Sequence, residues 1–145
     1  MRLSRKSEYA LLALARLANG KSWSVTGLSR ITAIPTKLLE PVLNELRRAG
    51  FVQSTRGPKG GYIFDKDPAS VSIGEIIHLF EGNAFLLPCT KNGGTRECLC
   101  EEPARCPLRP IMTDASDAME KLFGEKTIED LARACTGDSP LAFDI

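Results

Sequence analysis

Along the first half of the chain, apolar residues recur first at helical and then at strand spacing, with glycine and proline dividing them into short elements. Leu3, Leu11, Leu14, Leu17 and Ala18, widened by Tyr9 and Leu12, form one helical stripe from about Ser4 to Asn19, where Asn19-Gly20 supplies a stop. A second short helix is expected over roughly Val25 to Ile31, ending near Ala33. Pro35 and Thr36 open a third, because proline in a first turn loses no useful N–H. Leu38, Leu39, Val42, Leu43 and Leu46 give that helix an apolar face, and Gly50 closes it. Pro41 falls inside it, removing a hydrogen bond at a cost of ~3 kcal/mol, so a kink or a delayed start is expected. From Phe51 to Arg56 the pattern alternates like a half-buried strand, Gly57-Pro58-Lys59-Gly60-Gly61 turns the chain, and Tyr62-Ile63-Phe64 returns.

The second half reads differently. Val71-Ser72-Ile73-Gly74-Glu75-Ile76 is a helix-start signal in which Ser72 caps, Glu75 bonds back to it and Val71 staples onto Ile76. That helix ends at Gly82. After a loop reaching Pro107, the residues Leu108, Ile111, Met112, Ala115, Ala118, Met119, Leu122 and Phe123 make a long apolar stripe that Gly124 is expected to stop. Thr127 opens a last short helix to Cys135. Such a stripe is most often core packing, but the chain offers little else for it to cover, so pairing with a second copy is also open.

Three helices and a glycine-rich hairpin define a winged helix-turn-helix. The expected fold class is mainly α with a small β-hairpin, the winged helix-turn-helix being followed by a long dimerisation helix. Residues 1–82 form the DNA-binding domain, 83–107 a cysteine-rich loop, 108–135 the dimerisation helix with a short final helix, and 136–145 a mobile tail. In this arrangement the third helix enters the major groove with Thr36, Lys37 and Glu40 near base edges. The wing sets Arg56 and Lys59 on phosphates or in the minor groove, with glycines such as Gly60 allowing close backbone approach. The plainer reading of the hairpin is a structural turn, and the helix order before it favours the wing.

Charge supports a nucleic-acid partner. Residues 1–66 carry twelve basic against four acidic side chains, a net of +8, and the remainder carries seven against fourteen, so the overall +1 conceals a basic half. At 145 residues the chain has room for one compact domain and a small appendage. The first apolar run is interrupted by Arg16, so neither a signal peptide nor a membrane span is read, and a cytoplasmic location is expected. No catalytic constellation is present: the one histidine, His78, belongs to no Ser/His/Asp set, and no phosphate loop occurs. His78 reads as a surface or partly buried residue before it reads as a ligand.

Four of the five cysteines, Cys89, Cys98, Cys100 and Cys106, crowd into one proline- and glycine-bearing stretch with the pattern C-x8-C-x-C-x5-C. In a reducing compartment such a group points to metal binding or redox sensing rather than to disulfides. Cys135 stands apart and reads as a buried hydrophobe. Zinc sites built from four cysteines normally show C-x2-C knuckles, which this spacing is not. Metal-free sensing by Cys98 and Cys100 is a further alternative, and a small iron–sulfur carrier is a rival from another class.

Met1-Arg2-Leu3 with Tyr9-Ala10, the run Leu46 to Val52, and above all Arg56-Gly57-Pro58-Lys59-Gly60-Gly61-Tyr62 resemble the IscR/NsrR type of winged-helix regulator over about residues 1–134. The resemblance implies a homodimer that binds a partly palindromic double-stranded DNA operator, more often as repressor than activator, and often carries an iron–sulfur cluster. Members hold the cluster with three cysteines at x5 and x5 spacing. Cys100 and Cys106 match the second and third, Cys89 matches the first across a longer gap, and Cys98 is extra. IscR-like members add a histidine three residues after the last cysteine, where this chain has Arg109. NsrR-like members use an acidic residue near the partner's N-terminus, a place occupied here by Glu8. The fourth ligand is therefore Glu8 of the partner subunit or Cys98. For Glu8 the plain alternative is a solvated carboxylate at a helix start. The cluster type, 2Fe-2S or 4Fe-4S, and the signal, whether redox state, nitric oxide or iron supply, stay open.

Overall fold

A computed structural model of the chain describes residues 3–57, 60–82 and 105–136. Six helices, α1 (Arg5–Leu17), α2 (Val25–Thr32), α3 (Thr36–Arg48), α4 (Ile73–Glu81), α5 (Leu108–Glu125) and α6 (Ile128–Thr136), surround one two-stranded hairpin of β1 (Val52–Thr55) and β2 (Gly61–Phe64). A short 3-10 turn at Pro68–Ser70 leads into α4.

The local signals operate as chemistry dictates. Ser4, Ser24 and Ser72 cap α1, α2 and α4 by accepting from Ser7, Gly27 and Glu75 N–H groups, and at α4 the Glu75 carboxylate reciprocates to Ser72 N at 2.7 Å. Thr127 and Asp130 form the equivalent pair ahead of α6, with Thr127 N–H donating to Asp130 at 2.9 Å and Asp130 N–H donating to the Thr127 hydroxyl at 3.1 Å.

Two helix boundaries differ from the sequence reading. α3 starts at Thr36 without delay, Leu38 and Leu39 N–H groups bonding to the Pro35 carbonyl, and runs unbroken past Pro41. Pro41 is exposed, so the Lys37 carbonyl that it leaves without an intrahelical donor lies on the helix's outer side, within reach of water. Likewise Gly124 does not end α5, which continues to Glu125 and stops only when Lys126 turns extended, with φ −98° and ψ 133°.

The core gathers Ala10, Leu14 and Leu17 of α1, Leu28 of α2, Leu39, Val42, Leu43 and Leu46 of α3, Val52 and Phe64 of the hairpin, Ile76 of α4, and Ile128 of α6. Leu38, assigned from sequence to the apolar face of α3, is 49% exposed instead, and Leu12 on α1 is also exposed. Both lie at the edge of their stripes, where a helix turns away from its neighbours. The final helix returns to the beginning of the chain: α6 packs on α1, Ile128 N–H donates to Val71 O at 2.9 Å, and Ile73 N–H donates to Lys126 O at 2.7 Å. The inner side of α5 packs on α4, with Ser116 buried and the Phe123 backbone so near Gly74 that an added Cβ would stand 3.3 Å from it. Its outer side is bare.

Candidate nucleic-acid interface and sensor junction

The outer face of α3 is a polar strip. Lys37, Glu40, Pro41, Asn44, Glu45 and Arg48 succeed one another at helical spacing and line an open groove of about 670 Å³. Thr36, half-buried, begins the helix beside them. Burial of Leu39, Val42, Leu43 and Leu46 against α1, α2 and β1 fixes which side of α3 faces out. Asn44 and Arg48 were not singled out in the sequence, although i+4 and i+8 from Glu40 are the positions a helical reading would have added.

The hairpin stands beside this strip. Val52 pairs with Phe64 and Thr55 with Gly61. An isolated third strand position, Trp23, extends the ladder: Trp23 N–H donates to Tyr62 O at 2.9 Å and Tyr62 N–H donates to Trp23 O at 2.8 Å. No sequence signal announced that pairing, because a single bridging residue has no periodicity. It explains Gly61, where a Cβ would stand 2.3 Å from the Trp23 carbonyl oxygen. Gly57 turns with φ +115°, and Gly60 N–H closes back on Gly57 O at 2.8 Å. Tyr62 Oη lies 3.5 Å from Asn44, joining wing and helix, and the Lys66 ammonium sits 4.1 Å above the Phe51 ring at the hairpin's base. Arg56 is exposed on this hairpin, whereas Lys59, with Pro58, lies outside the described residues.

The start of α1 meets both the polar strip of α3, where Lys6 pairs with Glu45 at 3.4 Å, and the end of α4. A groove of about 480 Å³ is lined by Leu3, Ser4, Arg5, Glu8 and Glu81. Glu8 is half-exposed in the first turn of α1, where the helix's positive end favours a carboxylate, and takes an ion pair from Arg5 at 2.9 Å. Glu81 accepts the Ser4 N–H at 2.8 Å and the hydroxyl of the fully buried Ser7. Hydrogen bonds from Ser4 and Ser7 hold the Glu81 carboxyl below the ordinary value. Cys106 lies half-buried just ahead of α5. Cys89, Cys98 and Cys100 lie outside the described residues, as does the tail beyond Thr136, and among the described residues no three His, Cys, Asp or Glu side chains group as a metal site. His78 is exposed in the last turn of α4. Cys135, expected to be buried, is half-exposed and lines a groove of about 220 Å³ between the ends of α1 and α6, with Arg16 and Arg133.

This order of elements is shared with known proteins. The family model described as Rrf2, iron-dependent transcriptional regulator, matches residues 3–134. The chain belongs to the Rrf2 family of transcriptional regulators. Among curated Rrf2-type relatives, an rrf2-like HTH-type regulator of Rhodobacter capsulatus is 31% identical over 91% of this chain and 93% of its own length. The regulator IscR of Escherichia coli is 31% identical over 90% of this chain and 80% of its own length. Among solved structures, CymR, the global cysteine regulator of B. subtilis, superposes with a TM-score of 0.74 at 28% identity, covering 92% of this chain and 98% of its own. IscR of T. potens superposes with a TM-score of 0.73 at 20% identity over 99% and 95% of the two chains, which shows the common fold. The mainly helical winged helix-turn-helix expected from the pattern is thereby established, and the chain is an Rrf2 regulator, not an enzyme. Among the described residues no helix is long and apolar enough to cross a membrane.

Proposed function

We propose that the protein is an iron–sulfur-dependent repressor that binds its operator as a homodimer in the reducing cytoplasm. Thr36, Lys37 and Glu40 of α3 meet base edges, and Arg56, Lys59 and Gly60 of the wing meet phosphates or the minor groove. Arg48 and Asn44 extend the same strip and join the interface. Cys89, Cys100 and Cys106 hold the cluster, with Glu8 of the partner subunit or Cys98 as fourth ligand.

The observation that carries this reading is the cysteine run itself, four thiols within residues 89–106 of a chain matched over residues 3–134 by a family described as iron-dependent. The donor chemistry fits, since thiolates are the soft, strongly donating ligands that iron–sulfur clusters take. Cys106 also lies just before the positive end of an eighteen-residue helix, which suits an anionic sulfur. The bound cluster would supply a centre that responds to oxidants, nitric oxide or iron supply. The protein's part is to supply thiolates from the stretch of sequence that joins α4, which packs on α1, to α5, which packs on α4.

The bare side of α5 supports the dimer. Leu108, Ile111, Ala115, Ala118 and Leu122 follow the three-then-four spacing of a coiled-coil seam, and Ile111 is 62% exposed. A second copy is the occupant of matching pattern.

Anaerobic purification followed by a visible spectrum with iron and sulfide analysis tests the proposal. Cys89→Ala, Cys100→Ala and Cys106→Ala should each abolish cluster absorbance while leaving the protein helical. A full cluster in Cys100→Ala together with its loss in Cys98→Ala would reassign the ligand to Cys98. Likeness to CymR, which has also been solved from Staphylococcus aureus in an oxidized form at 25% identity, favours one second reading: sensing by the thiols alone. Protein that takes up no iron and sulfide yet changes operator affinity on thiol oxidation would decide for it.

A further inference from the structure

We propose that Glu81 is a positioning residue, an intrachain latch by which the state of the cysteine segment is passed to the DNA-reading helices. This rests on the sensing function proposed above.

Glu81 is the last residue of α4, followed by Gly82 at φ +68° and then by the stretch that carries Cys89, Cys98 and Cys100. Its carboxylate oxygen Oε1 reaches back 77 residues to accept the Ser4 N–H at 2.8 Å and 74 residues to accept the Ser7 hydroxyl. Both donors belong to the start of α1: Ser4 is its cap and Ser7 lies fully buried in its first turn. α1 in turn packs against α2, α3, β2, α4 and α6, so a shift at its N-terminal end is felt across the reader. One carboxylate thus ties the exit of α4 to the helix with the widest set of neighbours.

The bond has the properties of a latch rather than of a passive contact. Hydrogen bonds to an ionised acceptor are about twice as strong as neutral ones, and they strengthen further at the positive end of a helix. Ser7 has a second place for its hydroxyl, with Ser4 Oγ 3.3 Å away, so withdrawal of Glu81 leaves the buried group partnered and the released state accessible. Ile76 and Ile77 are buried on the same helix, so a pull on its C-terminal end is resisted by the core and concentrates in the last turn, where Glu81 sits. Glu8 lines the same groove, so the latch also sets the position of the first turn that bears Glu8.

The test uses the full chain and a DNA duplex selected by the wild-type protein from a random pool. Operator affinity is measured for protein loaded with iron and sulfide and for protein stripped by chelator, alongside amide hydrogen exchange of residues 4–10 in the stripped form. Glu81→Ala should accelerate exchange in the first turn of α1 by about tenfold, the loss expected for one charged hydrogen bond. It should also bring the loaded-to-stripped affinity ratio to about one. Glu81→Gln keeps an acceptor oxygen and should retain most of both properties. Ser7→Ala should move both in the same direction, and the double variant Ser7→Ala/Glu81→Ala should go no further than Glu81→Ala alone. A Glu81→Ala protein that loses affinity equally in both forms, with the wild-type ratio intact, would overturn the latch and leave sensing standing. A wild-type ratio of one would overturn the sensing function and the latch's role together.

Discussion

At the scale of single residues, the sharpest constraint is steric. The hydrogen where a Gly61 Cβ would attach faces the Trp23 carbonyl, so Gly61→Ala must separate the hairpin from its third strand position. We expect a loss of ~1–3 kcal/mol in urea denaturation, the cost of forced overpacking, together with weaker operator binding as the wing loses its support. Glu81 gives a pH signature. Its folded-state carboxyl titrates below the ordinary 4.5, so its contribution is complete above that value and is lost as pH falls through the folded pKa. Stability measured between about pH 6 and 3 should fall less steeply in Glu81→Gln, by under ~1 kcal/mol because the group is partly solvated. Some slope remains from Asp130, whose carboxyl is likewise held down by Thr127. The capping pair Ser72 and Glu75 was legible because its chemistry is local, complete within four residues. The Glu81 bonds, spanning more than seventy residues, and the Trp23 bridge were not, since no local pattern encodes which distant backbone group a side chain meets.

Among the elements, α3 holds the clearest conflict between propensity and tertiary demand. Its buried leucines and valine keep it helical through Pro41, against a local preference that favours a break. Pro41→Ala should therefore stabilise the protein, by up to ~3 kcal/mol if the ring contributes only strain, as read from the denaturation midpoint. It should also lower affinity if the freed Lys37 carbonyl or the local helix shape serves the operator. α5 teaches the converse lesson: Gly124 reads as a stop, yet a lone glycine costs a helix only ~1 kcal/mol, and the packing of Phe123 on Gly74 carries the helix past it. Periodicity placed α1, α3 and α5 and capping signals placed α4 and α6, while ends and edge positions such as Leu12 and Leu38 depended on neighbours that only the folded chain supplies.

For the whole molecule, assembly and folding set the behaviour. Ile111→Lys with Leu122→Lys, placed on the bare side of α5, should yield a folded monomer in sedimentation analysis, with operator affinity reduced at least tenfold through loss of the second half-site. The cysteine run was legible as composition, but sequence spacing alone does not encode which of its thiols would act together. One earlier feature reaches further than packing. Ile128 is wholly buried in the core, and α6 lies on α1 and on the 3-10 turn at Pro68–Ser70. The core is thus completed by packing between α1 and α6, elements more than a hundred positions apart, which closes a long loop of chain. A nascent chain still short of residue 128 leaves open the side of α1 that α6 covers, so the support beneath the DNA-reading helices is completed only after the cysteine segment has been made.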